Sequence, residues 1–167
     1  TDDIYERTTL GSPIFNAWFF RKTVFSILGN LDTNYKLIAD RKFLIELGVQ
    51  AIKYCCIDRN FYIYYSHEGS LTIKPKNDWE YPLFQEITIL CKQYLTNKDF
   101  HSQQKKYIRL WYRKISLEMT VTAIHKKALN RAAIYACKAI KYDPLWLIYF
   151  ITRLFSKIIH IFKITHN

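Results

Sequence analysis

Acidic residues are nearly missing from the last part of this chain. Residues 101–167 carry two of them against 13 lysines and arginines, while residues 1–100 carry 12 of each sign. The net charge of +11 therefore belongs to the C-terminal part. Any anionic partner is expected there, whether a phosphorylated lipid, an anionic bilayer, nucleic acid or an acidic protein. Cysteine is scarce as well, at four residues. None has metal-ligand spacing, and no disulfide framework is visible, so a reducing, cytoplasmic setting is the simplest reading. No Asp-x-Asp pair occurs to hold a divalent ion on a diphosphate, and no Gly-rich phosphate loop follows a strand. His67, His101 and His125 have no Ser or Cys partner at a recognisable nucleophile spacing. No secretory signal is visible, since the start is polar and charged.

What the chain does have is apolar and aromatic bulk. Half of its 167 residues are hydrophobic, with 13 Tyr, 11 Phe and four Trp. That is enough for a real core, and it excludes disorder. The stretch GNLDTNYKLIADRKFLIEL, Gly29 to Leu47, organises the first half. Gly29, Asn30, Asp32 and Asn34 suit a turn or a helix cap. Phe43, Leu44 and Leu47 then recur at helical spacing, which puts Asp40 in the first turn, where a carboxylate meets the positive end of the helix dipole. The simpler reading of Asp40 is a cap.

Along the rest of the chain, residues 1–12 read as an irregular lead-in ended by Pro13, and a helix is expected through Lys22 to Leu28. Lys53–Ile57 and Phe61–Tyr65 are β-prone runs that predict a hairpin or two successive strands, followed by a polar loop over Ser66–Ser70. Pro75 to Pro82 marks a boundary. Leu83–Leu95 predicts a helix with Ile87, Leu90, Cys91 and Tyr94 on one face. From Ser102 onward the pattern is helical, with Ile108, Trp111, Ile115 and Met119 along one side and a possible break at Thr120–Thr122. Ala128, Ala132, Ala136 and Ala139 form a small-residue stripe. The run ALNRAAIYACKAIKYDP resembles the second helix of a tetratricopeptide unit, although only one such unit is visible and a solenoid needs about three or more.

Residues 8–73 also carry a broader pattern. An apolar segment ends in Phe19-Phe20-Arg21-Lys22; the turn Gly29-Asn30-Leu31-Asp32 and then Asp40 at a helix start follow; His67-Glu68-Gly69-Ser70 lies in a loop after the β-prone runs. This order resembles the acceptor-side half of the catalytic domain of family 2 glycosyltransferases. The resemblance implies an α+β, helix-rich fold: a partial GT-A-like α/β half over residues 1–75 and a helical C-terminal extension, a hairpin and an amphipathic helix, over 76–167. It implies an inverting transfer from a nucleotide-sugar donor to a glycan or lipid-linked acceptor, with Asp40 as the base. Trp18, Arg21, His67 and Ser70 would line the substrate site. A divalent metal, Mg or Mn, would be needed in the intact enzyme, with His67 as a candidate ligand. Where the family often has Tyr-Arg-x-His, this chain has Tyr64-Tyr65-Ser66-His67. The chain opens on Thr1 and enters the pattern in mid-course, so a fragment or processed piece, inactive alone, is expected.

The alternative is a non-catalytic basic helical module that binds a membrane surface or a partner protein. Leu145–Ile164, LWLIYFITRLFSKIIHIFKI, is long enough as a helix to cross a bilayer, but Arg153, Lys157 and Lys163 oppose spanning. At helical spacing these three share one side, opposite Ile151, Leu154, Phe155 and Ile158. That pattern predicts a helix lying in the interface, its cations facing anionic head groups at the cytoplasmic membrane surface. Nucleic acid is the weakest of the partners, since no nucleic-acid fold motif accompanies the basic and aromatic residues between Lys105 and Lys114.

Overall fold

The structure is a computed structural model that describes residues 4–11, 14–59, 62–63 and 79–153. Its elements are helices: α1 (Ile4–Leu10), a 3-10 turn (Phe15–Ala17), α2 (Lys22–Leu28), α3 (Ala39–Val49), α4 (Glu80–Thr96), α5 (Ser102–His125) and α6 (Leu129–Tyr142). Residues 146–153 are helical too. The chain gathers into two compact units, residues 1–111 and 112–167, with the division inside α5. The boundary expected at residue 75 lies outside the described residues.

In the first unit the supposed lead-in is a helix. Ile4, Tyr5, Thr8 and Thr9 of α1 are buried, and α1 packs on α3. Gly48 makes this possible: a Cβ there would stand 2.7 Å from both Thr8 Oγ1 and the Cα of Tyr5. The two backbones therefore meet where only hydrogen fits. Around this contact lie buried Ile4, Val24, Phe43 and Leu47, flanked by partly buried Phe15, Trp18 and Phe20. Phe43 lies 5.4 Å from Phe20, 5.4 Å from Phe25 and 5.8 Å from Phe15. The expected face of α4 is the buried one, with Ile87, Leu90, Cys91 and Tyr94 inside. Pro82 sits in the first turn of α4 and does not stop it, because a first-turn N–H has no intrahelical acceptor to lose.

The α+β expectation is overturned. No strand occurs among the described residues, and 52–58 run as irregular backbone. An isolated pair of short strands is marginal in water and needs further strands or a packed face. Here the side chains are used otherwise: Ile52 and Tyr54 lie against the helical core, and Arg7 donates to Cys56 Sγ. Most of the second expected run, Phe61–Tyr65, and the loop Ser66–Ser70 lie outside the described residues. A GT-A-like α/β half does not fit the helices that the described residues form.

In the second unit α5 runs unbroken through Thr120–Thr122. The Ser116 hydroxyl donates to the Tyr112 carbonyl and Thr120 Oγ1 to the Ser116 carbonyl at 2.7 Å, so these polar side chains are satisfied inside the helix. The helix ends at Lys127, whose φ of 58° is left-handed. The Ala128 N–H returns to the Ala123 carbonyl at 2.9 Å, the closure of a Schellman motif. Of the alanine stripe, Ala132 and Ala139 are buried together with Tyr135, while Ala128 and Ala136 are half-buried. Arg113 of α5 forms a two-pronged ion pair with Asp143 at the end of α6, its Nη2 donating at 3.0 Å. That pair raises the Arg113 pKa.

Candidate functional site

Of the residues singled out from sequence, the structure describes Asp40, Trp18, Arg21 and Arg153. Asp40 is exposed in the first turn of α3, where its carboxylate accepts the Arg41 N–H at 2.6 Å. Trp18 is half-buried among aromatic rings, stacked 6.2 Å from Phe20. Arg21 is the exposed residue preceding α2. Among the described residues no hydrogen bond or ion pair joins these three. His67, Ser70, Lys157 and Lys163 lie outside the described residues. Arg153 is exposed, its guanidinium 5.3 Å from the Tyr149 ring. No group of three His, Cys, Asp or Glu that could hold a metal ion occurs among the described residues.

Next to Asp40, sequence reading passed over the residue that the fold uses. Arg41 donates to the carbonyls of Thr8 at 2.9 Å and Gly11 at 3.0 Å and lies 5.6 Å from the Trp111 ring. Burial lowers its pKa, while the carbonyl end of α1 and the indole face supply the compensating contacts. It is a structural cation.

A second polar cluster surrounds Lys42. Its ammonium lies 2.6 Å from Glu46 Oε1 and 3.4 Å from Asp32 Oδ2. Burial pulls the Lys42 pKa down, but the two carboxylates more than offset it and the net shift is upward. Asp32 is held below the usual carboxylate range, first by the Asn34 N–H and then by Lys42. Tyr94 Oη donates to Glu46 Oε1 at 3.4 Å; burial, and then Glu46, push its pKa far up. Beside this cluster opens a cleft of about 340 Å³ bordered by Leu28, Glu46, Gln50, Tyr94, Asn97 and Phe100.

The second unit presents a different surface. Leu129, Ile134 and Ile140 of α6 are exposed, as are Leu145, Leu147, Ile148 and Ile151. Among them stand the exposed cations Lys126, Lys127, Arg131, Lys141 and Arg153. On α6 the helical spacing puts exposed Leu129, Ala133, Cys137 and Ile140 on one flank, and exposed Arg131 and Lys141 with half-buried Lys138 on another, which Ile134 shares. Trp146 alone of the 145–148 run is buried, its ring stacked 5.2 Å from Phe150. No helix among the described residues is long and apolar enough to cross a membrane.

No known family model, curated protein or solved structure matches the chain. With no strand among the described residues either, the resemblance to family 2 glycosyltransferases is withdrawn. Its short stretches of matching order serve other tasks: Phe15, Trp18 and Phe20 join an aromatic core, and Asp32, after Gly29, pairs with Lys42.

Proposed function

We propose that this chain is a non-catalytic basic helical module that docks on an anionic membrane surface through residues 112–167. The carrying observation is the exposure of Leu147, Ile148 and Ile151 beside Arg153, with the same pairing of exposed apolar and basic flanks on α6. A bilayer interface accepts both kinds of side chain at once, the apolar ones in the acyl boundary and the cations at the phosphates. The inner leaflet, where anionic lipid is concentrated, is the surface proposed. The test is flotation of the full chain with vesicles containing phosphatidylserine against vesicles of phosphatidylcholine alone. Binding only to the anionic vesicles, lost at high salt, supports the reading. Equal binding to both, or none to either, overturns it.

A further inference from the structure

The cleft beside the Lys42 cluster has a chemical bias of its own, independent of the membrane reading. Three helices end at it. Leu28 is the last residue of α2, Val49 that of α3, and Asn97 directly follows α4. The carbonyl ends of helices carry partial negative charge and ordinarily attract a lysine, arginine or histidine in the last turn. None of these three helices has one there. By contrast, α5 and α6 carry His125 and Lys141 at their ends.

Glu46 adds a full charge to this border. Lys42 and Tyr94 both contact its Oε1, and among the described residues no hydrogen bond reaches Oε2. Lys42 does not neutralise the area, because Asp32 shares the same ammonium. On the other wall the Tyr94 and Phe100 rings stack at 4.8 Å, and Leu28 completes an apolar lining. The volume is within the range of small-molecule sites, about 300–1,000 Å³.

We propose that this cleft binds a small organic ammonium with an aromatic or branched apolar body. The ammonium donates to Glu46 Oε2 within the field of the helix ends, and the body lies against Leu28, Tyr94 and Phe100. A charge-assisted bond and a cation near aromatic faces both favour such a ligand over its neutral isostere.

The probes are 2-phenylethylammonium and, as neutral isostere, 2-phenylethanol, each titrated into the full chain while backbone amide shifts are followed by NMR. The ammonium is expected to bind about tenfold more tightly, the ratio corresponding to one modest charge-assisted contact. Saturable shifts are expected at Glu46, Gln50, Asn97 and Phe100. Glu46→Gln should bring the ammonium down to the affinity of the alcohol. Leu28→Trp, which fills the cleft, should weaken both probes. Equal affinity of the two probes in the wild-type chain overturns the proposal without reference to any variant. So does a preference that survives in Glu46→Gln, or saturable shifts confined to residues away from the cleft.

Discussion

Single residues decide how the backbone turns and how close its helices come. Gly48 is the sharpest case, since any side chain there meets Thr8 and Tyr5 at the α1 crossing. Gly48→Ala should destabilise the chain by about 1–3 kcal/mol, the range for overpacking, even though alanine is the better helix former. Urea unfolding measures it, and a neutral or stabilising result would mean that α1 shifts freely. Lys127 is the reverse case, a non-glycine residue in left-handed backbone at a helix end. Lys127→Gly should stabilise by roughly 0.5–1 kcal/mol, because the left-handed strain removed exceeds the added flexibility of the unfolded chain. Ala51, at φ 49°, ends α3 in the same way. Helix ends built on lysine and alanine carry no glycine signal, which is why these two stops were not legible in the sequence.

Titration is also a residue-scale matter. Cys91 is fully buried, and burial pushes its thiol pKa up from 9.0; burial likewise raises Tyr94 from 10.0. For both groups the folded pKa exceeds the unfolded one. Their stabilising contribution is complete below the unfolded values and declines as pH rises beyond them, because the unfolded chain then loses protons that the folded chain keeps. Stability should therefore be flat in this respect up to about pH 9 and then fall by about 1.4 kcal/mol per pH unit for each group whose unfolded form has ionised. Thermal unfolding between neutral pH and pH 11 reads this. Tyr94→Phe, which retains the ring, should make the upper part of the decline less steep; an unchanged slope would remove Tyr94 from the account.

At the scale of elements, periodicity was enough wherever a helix buries one face of its own sequence. The face of α4 and, of the α6 stripe, Ala132 and Ala139 were readable for that reason. What was not readable is a helix completed by another part of the chain. Asp32 and Asn34 suited a turn or a cap, and Asp32 closes a local turn through the Asn34 N–H; Asp40, the other candidate cap, accepts the N–H of its neighbour Arg41. The residue that holds the approach to α3 is Glu86 of α4, whose carboxylate accepts the N–H groups of Lys36, Leu37 and Ile38 at 3.0, 2.9 and 3.2 Å. No local pattern reveals a cap 48 residues away. Glu86→Ala should cost about 1.5–3 kcal/mol, the worth of hydrogen bonds to a charged group, with Glu86→Gln losing less because one amide oxygen still accepts. A cost below a few tenths of a kcal/mol would mean that water replaces the carboxylate without penalty. The first β-prone run failed for a related reason. Strand propensity describes a half-buried pleated surface, and with no strand among the described residues the side chains of Ile52 and Tyr54 found their burial on helices instead.

For the whole molecule, composition was the better guide. The excess charge read from the C-terminal part lies largely on exposed positions of the second unit, where Lys114, Lys126, Lys127, Arg131, Lys141 and Arg153 outnumber Glu118. This asymmetry turns the membrane reading into a quantitative one. Each lysine or arginine held near an anionic surface contributes about 1 kcal/mol, so Lys127→Gln combined with Lys141→Gln should weaken association with phosphatidylserine vesicles by roughly 30-fold. The apolar residues act through a different term. Ile148→Ala combined with Ile151→Ala should weaken binding too, yet leave its salt dependence unchanged, because truncating an exposed isoleucine alters buried area and not charge. Comparing vesicle partitioning at low and high salt for the two double variants separates the terms. If the lysine variant keeps the wild-type salt dependence, the cations of the second unit are not at the lipid surface, and an acidic protein partner becomes the reading to pursue.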